Sequence, residues 1–202
     1  MAEDTYRTVV GTAREELKIK GSRFIGEAFC VTSSDEAERQ IQQVRKREYN
    51  ATHHCPAYRI GPTGATVRYS DDGEPNGTAG LPIIRHIEGR DLTNTLVVVT
   101  RYYGGTKLGT GGLIRAYGDT ARLVLDAIPI ETHILRSRLH IRFAYADTSP
   151  AMHVISQYDA RIERTDYGND TAIMLAVRRS EAAAFQAAFV QALHGRGYVQ
   201  PI

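Results

Sequence analysis

The chain has 202 residues, which is enough for one large hydrophobic core or two small ones. Its formal net charge is only +2, so it lacks the global positive field of strongly basic nucleic-acid-binding proteins, and any anion site must be local. No apolar run approaches the roughly 18 residues that a membrane-spanning helix needs, and the acidic start is atypical of a signal peptide. We therefore expect a cytoplasmic protein with no membrane partner.

The arginines, lysines and cysteines add two expectations about possible sites. Arginine greatly outnumbers lysine, a bias that coding preference explains as well as function does, so only clustered arginines indicate a site. Cys30 and Cys55 are too few for a disulfide framework and do not form a metal-binding Cys-x-x-Cys pair. We expect two free thiols.

The first predicted elements are strands followed by a helix. Residues 5–31 alternate between apolar and polar side chains, which predicts two or three strands with a turn at Gly21 and Ser22. The segment that follows has Ser33 or Ser34 as an N-cap, acidic residues in its first turn and basic residues in its last. This charge distribution favours a helix, because it complements the helix dipole.

The middle of the chain contains the most regular patterns. Residues 52–60 and 65–70 read as a hairpin, and residues 81–90 as a short helix that ends near a glycine. The run 95–103 is the most apolar of the chain and predicts a central strand. From residue 112 to residue 128 apolar side chains recur every three or four positions, which predicts a helix with one buried face.

The last third of the chain predicts a separate domain. Pro129 interrupts the helical pattern, and we place a boundary near residue 136, giving domains at 1–136 and 137–202. The elements beyond the boundary follow the βαββαβ order of ferredoxin-like domains: strand 137–145, helix 149–158, strand 160–166, strand 171–178, helix 181–194 and strand 197–201. The fold class is therefore α+β.

A glycine-rich loop, "RYYGGTKLGTGG" at 101–112, joins the predicted central strand to the predicted helix. This order of elements places backbone amides and a positive helix end around an anion. Glycine permits positive φ and close approach of a ligand, and the loop contains Gly104, Gly105, Gly109, Gly111 and Gly112. Lys107, Arg101 and Arg115 supply full charges, and Tyr103 supplies a ring. A tight turn with no ligand remains the alternative.

An acidic loop, "SDDGEPNGTAG", offers a second candidate site. Asp71, Asp72 and Glu74 have the chemistry to hold a hard cation or to act as an acid and base pair, and His53 lies on the strand before them. Neighbouring His54 points to the opposite face of the strand, so only one of the two histidines can join. A solvated acidic turn is the alternative, and no ligand spacing here matches a known cation loop, so we assign no metal and no cofactor.

Three motifs resemble those of the YigZ/IMPACT family: "ATHHCPAYRIG", "YSDDGEPNGTAGLPI" and "VVVTRYYGGTKLGTGGLIRAYGDTA". They cover residues 50–122 in the family's order. The resemblance implies a first domain of βαβ type similar to domain IV of elongation factor G, and a ferredoxin-like second domain similar to its domain V. It also implies a ribosome-associated or RNA-associated role, since the eukaryotic members regulate translation under starvation.

These observations lead to one main hypothesis and two alternatives. The main hypothesis is a translation-associated protein that binds RNA or the ribosome, with Arg101, Lys107 and Arg115 on phosphates and Tyr103 as a stacking partner. It requires no catalysis. The first alternative is a metal-assisted hydrolase or transferase that uses the acidic loop. The second is a module that binds a protein partner in translation regulation.

Overall fold

The computed structural model describes residues 4–202. This part of the chain divides into two compact units, residues 6–133 and residues 134–202, and residues 4 and 5 belong to the second unit. Each unit combines helices with an antiparallel sheet, so the protein is of the α+β class with two domains.

Five of the strands of the first unit form one sheet in the order β2-β3-β6-β4-β5, and every neighbouring pair is antiparallel. Strands β1 and β7 form a separate two-stranded sheet. The elements up to residue 134 are β1 (Thr5–Val9), β2 (Thr12–Ile19), β3 (Ser22–Cys30), α1 (Ser34–Arg47), β4 (His53–Ile60), β5 (Thr66–Tyr69), α2 (Gly80–Gly89), β6 (Thr95–Tyr102), α3 (Thr110–Ala127) and β7 (Ile130–Ile134).

The helices of the first unit cover both faces of the five-stranded sheet. Alternate residues of β6 point to opposite faces, so Leu96 packs in the core beside α1, and Val97 packs in the core beside α2 and α3. Two apolar clusters result, one on each side of the sheet. Arg101, at the carboxyl end of β6, alternates with Val97 and Val99 and so points to the side of α2 and α3.

The second unit is a four-stranded antiparallel sheet with two helices on one face. Its strands lie in the order β11-β8-β10-β9, which is the ferredoxin-like arrangement of a βαββαβ chain. The core is formed where both helices meet one face of the sheet. Its elements are β8 (Arg136–Phe143), α4 (Thr148–Ser156), β9 (Arg161–Tyr167), β10 (Thr171–Arg178), α5 (Ala182–Ala192) and β11 (Tyr198–Pro201).

The capping signals of the first helix are confirmed. The Ser33 side chain accepts a hydrogen bond from the backbone N–H of Glu36 (3.2 Å), and basic residues occupy the last turn. The predicted helix at 112–128 begins two residues earlier, at Thr110, and strand β7 was not predicted. That strand follows Pro129 directly and shows only a short alternation, so its pairing with β1 is not visible in the local pattern.

Among the helices of residues 4–202, none has both the length and the hydropathy that crossing a bilayer demands.

We expect residues 134–202 to fold on their own, because the apolar core of the second unit is formed within them. Urea unfolding of this fragment, followed by circular dichroism, should show one cooperative transition. The same fragment with Phe189→Ala is the control: it removes a fully buried ring and should lower the urea midpoint strongly. A gradual loss of signal without a transition would remove the boundary near residue 136.

Candidate functional site

A buried ion pair joins the second and third of the motifs that resemble the family. Arg101 comes from the end of β6, and Glu74 comes from the loop between β5 and α2. The Arg101 guanidinium donates to Glu74 Oε1 at 2.6 Å, and the two side chains are 6% and 4% exposed. Buried charges are stable only when paired and hydrogen-bonded, so each residue requires the other.

Further groups complete the surroundings of this pair. The Tyr117 hydroxyl, from α3, donates to Glu74 Oε1 at 2.8 Å, and Arg101 also donates to Ser22 Oγ at 3.3 Å. The guanidinium carbon lies 5.4 Å from the ring centroid of Phe24 and 5.4 Å from that of Tyr103. Aromatic faces at this distance attract a cation. The ion pair is therefore surrounded by residues of β3, β6 and α3 and by Tyr103 at the start of the glycine-rich loop.

The two histidines of β4 point to opposite faces, as the alternation predicts. His53 lies opposite Arg101 in the sheet; its Nδ1 lies 2.8 Å from the carbonyl oxygen of Asp72, and its Nε2 lies 3.9 Å from Glu74 Oε1. A carbonyl only accepts hydrogen bonds, so Nδ1 carries the proton. His54 instead places Nε2 3.0 Å from the carbonyl of Glu48, at the end of α1. Only His53 joins the buried pair.

Asp71 acts as the cap of α2. Its Oδ1 accepts hydrogen bonds from the backbone N–H groups of Ala79 (3.0 Å) and Gly80 (2.8 Å), and its Oδ2 accepts one from Gly77 (2.8 Å). A carboxylate here satisfies donors that the helix start leaves free and complements the helix dipole. Both oxygens of Asp71 are therefore engaged by the protein's own backbone.

Asp72 is also engaged on both oxygens. Oδ1 lies 2.8 Å from the Arg45 guanidinium, and Oδ2 accepts the backbone N–H of His54 at 2.7 Å. The three carboxylates of the acidic loop thus face different donors instead of converging on one point. Within residues 4–202 no group of three or more His, Cys, Asp or Glu side chains has the geometry of a metal site. The geometry offers no support for the metal-assisted alternative.

Cys55 is buried beside this cluster, and its thiol donates to the carbonyl oxygen of Asp71 at 3.1 Å. Burial raises the pKa of the Cys55 thiol above its ordinary value, and the nearby carboxylates add to the effect. Burial likewise raises the pKa of the Tyr117 phenol, which keeps its proton and donates to Glu74. Because a thiolate is the nucleophilic form, this cysteine is not activated.

The base of the glycine-rich loop is pinned to the core. The Tyr103 N–H donates to Thr52 Oγ and the Gly104 N–H donates to Ser22 Oγ, each at 3.2 Å. A Cβ atom on Gly104 would lie 1.9 Å from the backbone of Gly21. The β2–β3 turn is therefore the segment that lies against this part of the loop, and only glycine fits at position 104.

The other glycines of the loop have two distinct roles. Gly105 and Gly109 adopt φ values of +84° and +72°, which favour glycine. Gly111 and Gly112 belong to the first turn of α3 and, like Gly104, do not use the positive φ that glycine permits. A Cβ atom on Gly111 would meet no atom within 4 Å. Because Gly111 has no side chain, it does not cover the backbone amides at the start of α3.

The N-terminus of α3 is open to solvent and carries no negative charge. Its N-cap, Gly109, has no side chain to accept a hydrogen bond, and its first turn contains no acid. Lys107 and Arg115 are exposed beside it, and neither forms an ion pair with any part of residues 4–202. The starts of α1 and α2, by contrast, are satisfied by Ser33 and Asp71.

The sequence predicts that Arg101 contacts phosphate. The structure buries Arg101 against Glu74, so we revise its expected role from phosphate contact to support of the loop. Tyr117 and Ser22 were not predicted as site residues, because one lies at a core position of a helix and the other in a turn. A tyrosine among apolar core positions was the available signal, since its buried hydroxyl needs a partner.

Both units of this α+β fold match known family models. Residues 20–125 match the Impact N-terminal domain, and residues 141–196 match a domain of unknown function (DUF1949). The chain therefore belongs to the IMPACT family. It is similar to the IMPACT family member YvyE of Bacillus subtilis (strain 168), with 34% identity over 97% of this chain and 90% of that protein.

Other relatives agree with this membership. The IMPACT family member YigZ of Escherichia coli (strain K12) is 31% identical over 84% of both chains. The Protein IMPACT homolog of Saccharomyces cerevisiae is 31% identical over 48% of this chain and 39% of its own length. A solved structure described as "Crystal structure of an hypothetical protein" matches 98% of both chains with a TM-score of 0.70 and 28% identity.

We expect Glu74→Gln to destabilise the first unit strongly, because it leaves the Arg101 charge buried without a counter-charge. Removal of one partner of a buried pair costs about 3–5 kcal/mol of unfolding free energy, measured by urea denaturation. Glu38→Gln is the matched control, since Glu38 is exposed and its ion pair, with the exposed Arg68 at 3.5 Å, lies in solvent, so the variant should change the unfolding free energy little.

The double variant Glu74→Gln with Arg101→Met separates the pair from its surroundings. It should lose less than the sum of the two single variants, because no unpaired charge remains. Additive losses would show that Arg101 and Glu74 do not depend on each other.

Proposed function

We propose that this protein is a translation-associated regulator that binds RNA or the ribosome through the loop and helix start at residues 103–115. The observation that carries the proposal is the open N-terminus of α3, with no side-chain cap and no acid in its first turn, flanked by Lys107 and Arg115, which form no ion pair within residues 4–202. Free backbone amides and the positive helix end attract phosphate, and the two side chains add full charges.

Each loop residue has a separate role in this proposal. Lys107 and Arg115 contact phosphates, and the backbone amides around Gly111 and Gly112 complete the anion-binding site, which we call the anion seat. Tyr103 is 47% exposed and offers a ring for an unstacked base. Arg101 does not contact the ligand; it fixes the base of the loop through Ser22 and Glu74.

The link to translation and the cytoplasmic location rest on the family resemblance and not on this geometry alone. The motifs at residues 50–122 are those of a family whose eukaryotic members regulate translation. A protein partner in that regulation is compatible with the same surface. The proposal needs no cofactor and no catalytic step.

Gly111→Asp tests the anion seat directly. A Cβ atom at this position meets no atom within 4 Å beyond its own helix backbone and chain neighbours, and an acid in the first turn stabilises a helix by about 0.3–1 kcal/mol. The variant should therefore melt no lower than the wild type, yet its negative charge should repel phosphate and weaken binding to RNA or ribosomes about tenfold or more. Co-sedimentation with ribosomes across a salt series measures this.

Gly111→Ala is the matched control, because it adds the same Cβ atom without charge and should bind as the wild type. Equal binding by the Asp and Ala variants would show that the helix start is not the phosphate site.

Lys107→Ala tests the side-chain charge. Loss of one phosphate contact should reduce the slope of log affinity against log salt by about 0.7–0.9. Arg122→Ala removes the same charge from the exposed side of α3, where Arg122 pairs with Asp126 at 3.3 Å, and should leave affinity and slope nearly unchanged. A larger effect from Arg122→Ala than from Lys107→Ala would place the site elsewhere.

A further inference from the structure

One face of the four-stranded sheet of the second unit is covered by neither of that unit's helices. Along β8, Leu139 and Ile141 point into the core beneath α4 and α5, so Arg138, His140 and Arg142 point to the opposite face. Strand β10 alternates in the same way. We refer to this opposite side, defined by the even-numbered residues of β8 and β10 and their cross-strand neighbours, as the open face.

The arginines of residues 134–202 gather on the open face. Only Arg179 and Arg196 lie elsewhere in this unit. The strand register places the others on it: Arg136, Arg138, Arg142, Arg161, Arg164 and Arg178. A coding preference for arginine would scatter these residues over the surface, so their position on one face indicates a role.

The open face carries an excess of positive charge. Its carboxylates are each paired with arginine: Asp159 with Arg136 and Arg178, Glu163 with Arg138, and Asp166 with Arg164. Arg142 and Arg161 are exposed and have no ion pair within residues 4–202. These two guanidinium groups are available to a ligand that carries negative charge.

Uncharged residues lie between the charged rows of the open face. They are Ala172, Met174 and Ala176 of β10, which share this face by strand alternation. Strand β8 with Arg138 and Arg142 borders one side, and β9 borders the other with Arg161 and Arg164. The two bordering strands are two sheet spacings apart, about 10 Å. This width suits one extended strand of a charged polymer.

The open face also carries flat groups. Tyr198 of β11 lies opposite Arg142 and is 52% exposed, and its hydroxyl donates only within its own strand, to Gln200 at 2.6 Å. His140 lies in the middle of the face, opposite Met174. Rings and guanidinium planes stack on bases, whereas acidic side chains have no aromatic face to stack on them.

We propose that the open face binds single-stranded RNA, with Arg142 and Arg161 on phosphates and Tyr198 stacked on a base. This surface goes beyond the loop of the first unit: it shares with the proposed function only the class of ligand and does not require the loop. It assigns a direct RNA contact to the ferredoxin-like unit.

The test uses the full chain and a labelled oligouridylate, with affinity measured by fluorescence anisotropy over a salt series. The double variant Arg142→Ala with Arg161→Ala should bind about tenfold more weakly and lose about 1.4 units of salt slope, as for two single-strand phosphate contacts. Arg179→Ala removes an exposed charge outside the face and should bind as the wild type. Tyr198→Ala should lower affinity at least about fivefold with the slope unchanged.

The outcomes separate this inference from the proposed function. If the arginine and tyrosine variants bind oligouridylate as the wild type while Lys107→Ala and Gly111→Asp lose ribosome binding, the open face is not an RNA site and the loop proposal stands. If the open-face variants lose oligouridylate binding while the loop variants keep ribosome binding, the loop proposal fails and this one stands. Equal competition by polyglutamate and oligouridylate would overturn the assignment to RNA.

Discussion

The first unit depends on the neutralisation of one buried positive charge. Arg101 lies on the strand at the centre of the five-stranded sheet, where a guanidinium without a counter-charge would cost several kcal/mol. Glu74 supplies the counter-charge from a loop, so that loop must fold over the end of the sheet. Its fold in turn brings Asp71 to the start of α2 and the Asp72 carbonyl to His53. One electrostatic requirement thus orders the acidic loop and a helix terminus.

Because Arg101 is held in this pair, the glycine-rich loop has a first half that is fixed to the core and a second half that is exposed. Ser22 Oγ accepts hydrogen bonds from both Arg101 and Gly104, so the first half of the loop is tied to the core. The second half, from Gly105 to the start of α3, has positive φ values at two glycines and exposed backbone. A fixed base with accessible amides beyond it is the geometry that an anion seat needs, since the amides are oriented before a ligand arrives.

Helices and strands that depend on short-range sequence patterns were predicted well. The caps and charges of α1, the apolar run of β6 and the βαββαβ order of the second unit depend on short-range patterns, and each is present. The pairing of Arg101 with Glu74 was not predictable, because it depends on sheet register and on the burial of a polar loop. For the same reason β7 was not predicted, since its pairing with β1 joins residues far apart in the sequence.

Asp4 belongs to the second unit although nearly all of that unit follows residue 133. Its carbonyl accepts the N–H of Leu135, and its buried carboxylate accepts the N–H of Ser180 at 2.8 Å. During synthesis on the ribosome, residues 6–133 are made before Ser180, so the first unit can begin to fold while Asp4 still lacks this partner. Attachment of Asp4 to the second unit is therefore a late event of biogenesis, and a fusion placed directly before Asp4 adjoins a contact that forms only after Ser180 is made.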